Sequence, residues 1–337
     1  MGTKEGCMHA RNVKSYNFWR VIMKIYAENK VYIGQPEYDT AFWNYLRTKV
    51  NTEAKLVKGD LLKNNHFAVP TTVGKQFDTA IEKESVFRRI ASVFNSYDGA
   101  SKMKVFDSDD IAEFVAPGEG ISIKDIRDEF TDIDVDSHKL TSFFRLPNSF
   151  VFDASFDIKN HIVKRFAKNY GRAEDKAFIL GTGEDEPTGI LNAEGGAEVG
   201  VTTAEITYDD VISLYFSVKP EYRKHGSWLM NDNTAMVLRK LKNDAGDYLW
   251  CDSDDTILGK KVEICEFMPD IGTGEKPIAF GDFSYYWIVK RSPVSVRTLT
   301  ELFAVLGQTG YYSFELIDGK LIRSDAIKVL SVTDSAE

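Results

Sequence analysis

Three cysteines, five histidines and nine prolines in 337 residues leave several chemistries short of material. Cys7, Cys251 and Cys265 are too scattered for a disulfide framework, and no Cys-x-x-Cys pair exists. They read as ordinary thiols of a reducing compartment. His9, His66, His138, His161 and His225 lie far apart, with no His-Glu-x-x-His or His-x-His pair, so neither a metal centre nor a histidine base is indicated. A Gly-x-Ser-x-Gly nucleophile turn is also missing. No stretch approaches the ~18 uninterrupted apolar residues of a membrane span. Residues 1–30 lack the apolar segment of a signal peptide. The expectation is a soluble chain that stays in the compartment where it is made.

Positive charge is in deficit. The chain has 42 Lys and Arg against 51 Asp and Glu, a net charge of −9, which argues against binding nucleic acid by bulk charge. The imbalance is local. Residues 1–70 carry 11 basic and 6 acidic side chains, whereas residues 98–136 carry 12 acidic and 4 basic. These are either solvated faces or oriented surfaces that meet neighbours.

Loops that invite a chemical reading do not sustain it. Gly181-Thr-Gly-Glu-Asp-Glu-Pro-Thr-Gly189 lacks the Lys-Ser/Thr of a phosphate loop and closes a helix instead of opening one, and its carboxylates would repel a phosphate. Gly272-Thr-Gly274 fails for want of a third glycine. Asp132, Asp134 and Asp136 have the first three ligand positions of a calcium loop, but the turn glycine is missing and Phe143 stands where the bidentate Glu belongs. With Asp107–Asp110 and Asp252–Asp255 they read as solvated acidic loops. No catalytic, cofactor-binding or metal-binding residue is assigned, and no cofactor is expected.

Periodicity shows an α+β chain. Phe18, Val21, Ile22 and Ile25 share a helix face, as do Phe42, Tyr45, Leu46 and Val50, with Gly34-Gln-Pro36 as a break. Residues 1–66 thus look like an arm with too few apolar residues for its own core. Phe77 to Phe94 has a helical period. Lys102–Phe106 and Ile111–Val115 are β-type runs in an acidic stretch with a turn at Pro117–Gly120, which suggests a projecting hairpin. Lys139–Asp153 reads as β-type. The longest helix is expected from about Ser155 to Leu180, capped by Asp153 or Ser155. Thr207–Asp210 begins a helix with a capping box. Ser227–Met230 is a buried strand, and Asn231 or Asp232 caps a helix stopped near Gly246. Strands follow at Lys261–Cys265, Pro277–Phe280, Tyr286–Lys290 and Ser295–Leu299. Asp318-Gly319 predicts a tight hairpin turn between Tyr311–Ile317 and Lys320–Arg323. The strands are expected to be antiparallel and segregated from the long helices.

Three segments, in order, resemble the major capsid protein of tailed bacteriophages, in a phage or a prophage. The first is Gly171-Arg-Ala-Glu-Asp-Lys-Ala-Phe-Ile-Leu-Gly-Thr-Gly183 followed by Glu186-Pro-Thr-Gly-Ile-Leu191. The second is Glu221-Tyr-Arg-Lys-His-Gly-Ser-Trp-Leu-Met-Asn231 through Leu238–Trp250. The third is Ile257-Leu-Gly-Lys-Lys-Val262, then Met268-Pro269 and Ile278-Ala-Phe-Gly-Asp-Phe283. The resemblance covers about residues 40–332 and implies the Hong Kong 97-type capsid fold. Its parts would be an N-terminal arm (1–66), a peripheral domain (67–96 and 141–205, with a spine helix at about 155–180) and an extended loop (97–140). An axial domain (206–295) and a return to the peripheral domain (296–337) would complete it.

The implied function is structural and non-enzymatic: self-assembly as hexamers and pentamers into the icosahedral head shell around double-stranded DNA, in the virion, after assembly in the bacterial host cytoplasm. Implied partners are other copies, a scaffolding protein, a portal protein and a head protease or decoration protein, with no membrane. Only about 35 residues precede Tyr38–Arg47, which resembles the start of the family's arm, so a separate or short internal scaffold is expected. Some members weld subunits through a Lys–Asn bond. Lys102, Lys104 and Lys124 lie in the extended loop, but no Asn or Glu partner matches by motif. The alternatives are an encapsulin-like compartment enclosing cargo, or an enzyme using the Gly181–Gly189 loop.

Overall fold

A computed structural model of the chain describes residues 36–48, 67–68, 71–96, 102–106, 130–153, 155–242, 245–250 and 255–334. In chain order the helices are α1 (Pro36–Thr48), α2 (Thr71–Glu84), α3 (Phe87–Ile90), α4 (Asn148–Phe152), α5 (Ile158–Leu180), α6 (Tyr208–Ser217), α7 (Pro220–Arg223) and α8 (Asp232–Arg239). The strands are β1 (Phe67–Ala68), β2 (Ser92–Asn95), β3 (Lys102–Phe106), β4 (Phe130–Asp134), β5 (His138–Pro147), β6 (Glu198–Thr203), β7 (Ser227–Met230), β8 (Thr256–Ile257), β9 (Lys260–Ile264), β10 (Ile278–Gly281), β11 (Tyr286–Lys290), β12 (Ser295–Leu299), β13 (Gln308–Leu321) and β14 (Ile327–Val332). The chain divides into two units: Met1–Asp78, Ser142–Lys164 and Val294–Phe314, and the remainder.

In the first unit, β12 pairs antiparallel with the first half of β13, from Ser295↔Phe314 to Leu299↔Gly310. Strand β1 lies on the outer edge of β12. Helix α1 buries Tyr38, Phe42 and Leu46, residues four apart on one face. The Tyr311 hydroxyl donates to the Leu46 carbonyl at 3.4 Å, and its ring stacks on Phe144.

The larger unit is organised by a six-stranded sheet in the order β6-β14-β10-β7-β9-β8. Its central strands β7 and β10 are short apolar runs because both of their faces are covered, so alternation disappears from the sequence there. Trp228, Met230, Ile278, Phe280, Leu330 and Val332 face one core, joined by Val211 and Leu214 of α6 and Leu238 of α8. The intervening Leu229, Ala279, Ile327 and Val329 face the other, with Phe87, Phe178, Ile179 and Ile288. Each such large side chain, fully buried, contributes about 1.5–3 kcal/mol relative to exposure.

Caps set the helix starts here. Thr207 and Asp210 form the expected capping box of α6. The Asn231 side chain accepts the Thr234 N–H at 2.7 Å and begins α8, while its amide holds Asp270 and the Met268 carbonyl.

Several expectations are corrected. The long helix starts at Ile158, not Ser155: Asp157 accepts the Asn160 N–H at 3.1 Å, whereas Asp153 is occupied by Ser155. Phe94 belongs to β2, which pairs parallel with β11, so the helical period from Phe77 ends at Ile90. Asn148–Phe152 is a helix, since Pro147 leaves the strand and starts a turn. Helix α8 ends at Arg239, well before Gly246.

The strands are mixed: among the described residues β2 pairs parallel with β11, β6 with β14 and β7 with β9. Strand β3 pairs antiparallel with β4, from Lys102↔Asp134 to Phe106↔Phe130. Ile111–Val115 and the Pro117–Gly120 turn lie outside the described residues.

Asp318-Gly319 is not a turn. Strand β13 runs through it, with Val289↔Asp318 and Ile288↔Gly319 paired to β11. A tight turn would break that ladder and bring the Asp318 carboxylate to solvent, whereas Asp318 is 1% exposed.

Candidate functional site

Three junctions hold the larger unit together, the first of them built by the first of the resembling segments. The first is the loop after α5. Gly189 N–H bonds to the Gly181 carbonyl at 2.9 Å, and the N–H groups of Ile190 and Leu191 reach the Phe178 and Ile179 carbonyls. Helix α5 therefore has its last carbonyls satisfied by its own loop. A Cβ on Gly181 would lie 2.0 Å from the Pro187 carbonyl, so glycine is required for this close approach. The Thr188 N–H bonds to the Gly319 carbonyl at 3.1 Å, and the Tyr286 hydroxyl donates to the Thr188 carbonyl at 2.8 Å. The N–H groups of Thr188 to Leu191 are thus committed internally, tying the loop to α5 and β13.

The second junction is a buried ionic quartet. Arg88 makes a two-pronged contact with Glu174, both distances 2.7 Å. Lys290 lies 3.1 Å from Glu315, with the Arg88 guanidinium 4.0 Å away. All four side chains are buried, and burial pushes the Glu315 carboxyl above its ordinary value against the pull of Lys290 and Arg88. Beside it, burial also raises Asp175, whose carboxylate accepts the Ser85 hydroxyl at 2.6 Å and the N–H groups of Val86 and Phe87. Asp175 thus holds the start of α3. The spacing Glu174-Asp175 puts one carboxylate on each task.

The third junction lies between β4 and β5. Asp318 accepts the Asp136 N–H and the Gly319 N–H, each at 2.8 Å. His138 Nε2 is 3.4 Å from Asp318. Lys320 donates to the Asp134 carbonyl at 2.7 Å and lies 3.2 Å from Asp136.

Asp136, His138 and Asp318 have the ligand types of a metal centre, with candidate atoms within 4.8 Å of one another. Lys320 and the backbone N–H groups instead supply the positive charge and protons there. Asp132 and Asp134 lie in β4, not in an ion-wrapping loop; this replaces the solvated-loop reading for both.

The other singled-out residues remain apart. His161 sits among Phe144 and Phe156, and His225 is exposed. Cys265 is buried, which pushes its thiol up to about 12 and leaves it unreactive at neutral pH. Asp255 pairs with Arg239 at 2.5 Å. Lys102 and Lys104 lie in β3. His9, His66, Cys7, Cys251, Lys124, Asp107–Asp110 and Asp252–Asp254 lie outside the described residues. No helix among the described residues is long and apolar enough to cross a membrane.

A sequence model of the phage capsid family matches residues 65–332. The chain belongs to the phage capsid family. It is a major capsid protein, a structural and non-enzymatic component of a phage-type head shell.

Solved structures agree. A protein described as the capsid of an empty GTA particle, computed with C5 symmetry, is 29% identical with a TM-score of 0.61, covering 74% of this chain and 90% of its own. The capsid of the native GTA particle is 27% identical with a TM-score of 0.58, covering 84% of this chain and 98% of its own. The Gordonia phage Cozz protein shares the fold, at 12% identity and a TM-score of 0.52, over 75% of this chain and 87% of its own. No curated protein sequence matches. The α+β capsid fold expected from the three motifs is the fold observed, and the encapsulin alternative is not favoured.

Sequence reasoning missed the ionic quartet. Arg88 and Glu174 are 86 positions apart, and nothing local signals their meeting.

Proposed function

We propose that this capsid subunit assembles as hexamers and pentamers into an icosahedral shell around double-stranded DNA, in a bacterial host cytoplasm. The family match over residues 65–332 carries the reading. Residues 1–66 act as the arm toward a neighbour, and residues 97–140 as an extended loop over the adjacent subunit. Residues 67–96, 141–205 and 296–337 form the peripheral domain around α5, and residues 206–295 the axial domain. The paired strands β3 and β4 support the extended-loop role, and the ionic base at Asp318 gives it a defined exit from the body. No residue serves as a catalytic, cofactor or metal site. The net charge of −9 suits a container that holds DNA without gripping it. A scaffolding protein and a portal protein, with a head protease or a decoration protein, complete the set of partners.

Negative-stain electron microscopy and light scattering on the purified chain test this. Uniform shells, or rings of five or six, are expected from the chain alone or with its genomic neighbours. A persistent 38.1 kDa monomer under both conditions would overturn the assignment.

A further inference from the structure

Helix α5 carries six basic side chains and two acidic ones, and the two kinds are segregated. Glu174 and Asp175 are buried and already engaged, by Arg88 and by Ser85 with the start of α3. Arg165, Lys168, Arg172 and Lys176 are all exposed. At 3.6 residues per turn these four fall within an arc of about 80° and run along about 16 Å of the helix axis. They face outward because Ile162, Phe166, Tyr170 and Phe178 take the inward places. A chain of net charge −9 thus presents one line of cations.

Acidic groups of other elements lie beside this line without covering it. Glu266 is 2.9 Å from Arg172, and both side chains are more than half exposed, so the pair exchanges readily for another anion. Glu84 lies against Gly171 on one flank. Asp185 and Glu186 line one cleft with Lys176. Among the described residues, no ion pair engages Arg165, Lys168 or Lys176.

We propose that this line is a resting surface for the phosphate backbone of duplex DNA. The proposal rests on the reading that the shell encloses DNA, and it names the side chains that touch it. Duplex DNA fits better than a protein partner on two grounds. Between Arg165 and Lys176 no large apolar side chain is exposed, whereas protein interfaces are anchored by aromatic and aliphatic groups. A duplex carries one charge per ~1.7 Å of its axis, and its phosphates are held chiefly by Lys and Arg. Four such contacts, one of them shared with Glu266, give one subunit a weak hold that is blind to sequence and released by salt. Repetition over many subunits multiplies that hold.

Binding of a short duplex DNA to the purified full chain, followed by fluorescence anisotropy through a salt titration, tests it. Arg165→Gln, Lys168→Gln and Lys176→Gln combined should keep the parent melting temperature, because all three side chains are solvated. The same variant should bind at least tenfold more weakly at low ionic strength. Its slope of log K against log salt should shrink by about 2–3, close to one per lost contact. A control with the same change of charge, Lys224→Gln, Lys240→Gln and Lys242→Gln, should bind as the parent does. Lys168 and Lys176 should also acetylate more slowly in DNA-filled particles than in DNA-free shells. The proposal is overturned if the parent leaves duplex DNA unbound at low ionic strength, if the salt slope is unchanged, or if the control loses as much as the first variant. Equal acetylation in filled and DNA-free shells would also overturn it. So would polyglutamate competing as well as DNA, which would make an acidic protein segment the occupant. These results leave the assembly reading untouched, which fails only by the absence of shells.

Discussion

The buried carboxylate of Asp318 accepts the backbone N–H of Asp136 at 2.8 Å, fastening the link between β4 and β5 to the part of β13 that pairs with β11. Lys320 adds two holds, on the Asp134 carbonyl and the Asp136 carboxylate. Asp318→Asn should cost about 1–3 kcal/mol, because one acceptor of a buried set is replaced by a donor. Hydrogen exchange at the Asp136 amide should accelerate in step. Unchanged exchange there would mean that another contact holds this link.

Lys290 and Glu315 set a pH dependence of defined sign. Lys290→Met leaves Glu315 buried beside Arg88, which Glu174 already engages, and should cost about 3–5 kcal/mol at neutral pH in denaturant unfolding. Without the lysine, the folded-state Glu315 value rises further above the unfolded one. The folded state then binds the proton more tightly, so the deficit should shrink as the pH falls toward the ordinary carboxylate range. Lys290→Met combined with Glu315→Gln should recover much of the loss. A deficit independent of pH would assign it to packing instead.

Glu198 behaves oppositely. Its hydrogen bonds from Lys328 and Ser324, across the β6–β14 pairing, hold its carboxyl below the ordinary value. The stabilisation is complete above the unfolded carboxylate value and disappears as the pH drops through the folded one. Glu198 is half exposed, so Glu198→Gln should cost at most about 1 kcal/mol at neutral pH. Thermal melts of parent and variant should converge in acid; a gap that persists there would exclude the ion pair as its source.

Gly281 and Gly307 both have positive φ, 156° and 61°, yet they should respond differently to alanine. At Gly281 a Cβ would lie 2.2 Å from the Ala326 carbonyl, inside the β10–β14 pairing, so Gly281→Ala should cost more than about 2 kcal/mol. At Gly307 a Cβ meets nothing within 4 Å, and only the backbone strain of about 1–2 kcal/mol remains. Equal melting temperatures for the two variants would contradict the packing difference.

Local signals in the sequence were legible where one element carried them whole. Helix α5 announced itself through Ile162, Phe166 and Tyr170, and its end through Gly181. The Thr207–Asp210 box and the Asn231 cap act over three residues, so their spacing sufficed. The same locality misled at Asp318-Gly319, where a dipeptide suited to a turn sits in a central strand. There the pairing with β11 and the partners of the Asp318 carboxylate outweigh a turn preference. Phe94 continued a helical period but entered β2, because Trp287 and Val289 of β11 offered strand partners.

From the sequence alone came the α+β class, the ordered motifs of the capsid family and the uneven charge. Those properties reside in residue identity and short spacing. Tertiary structure alone decided which charges are buried together, that Asp318 fastens the Asp136 backbone and where apolar surface stays bare. Arg88, Glu174, Lys290 and Glu315 meet only after four elements pack. Val305 is left bare only because Phe303 takes the inward place beside Phe143. Desolvation and contact depend on neighbours far away in the chain, and no periodicity encodes them.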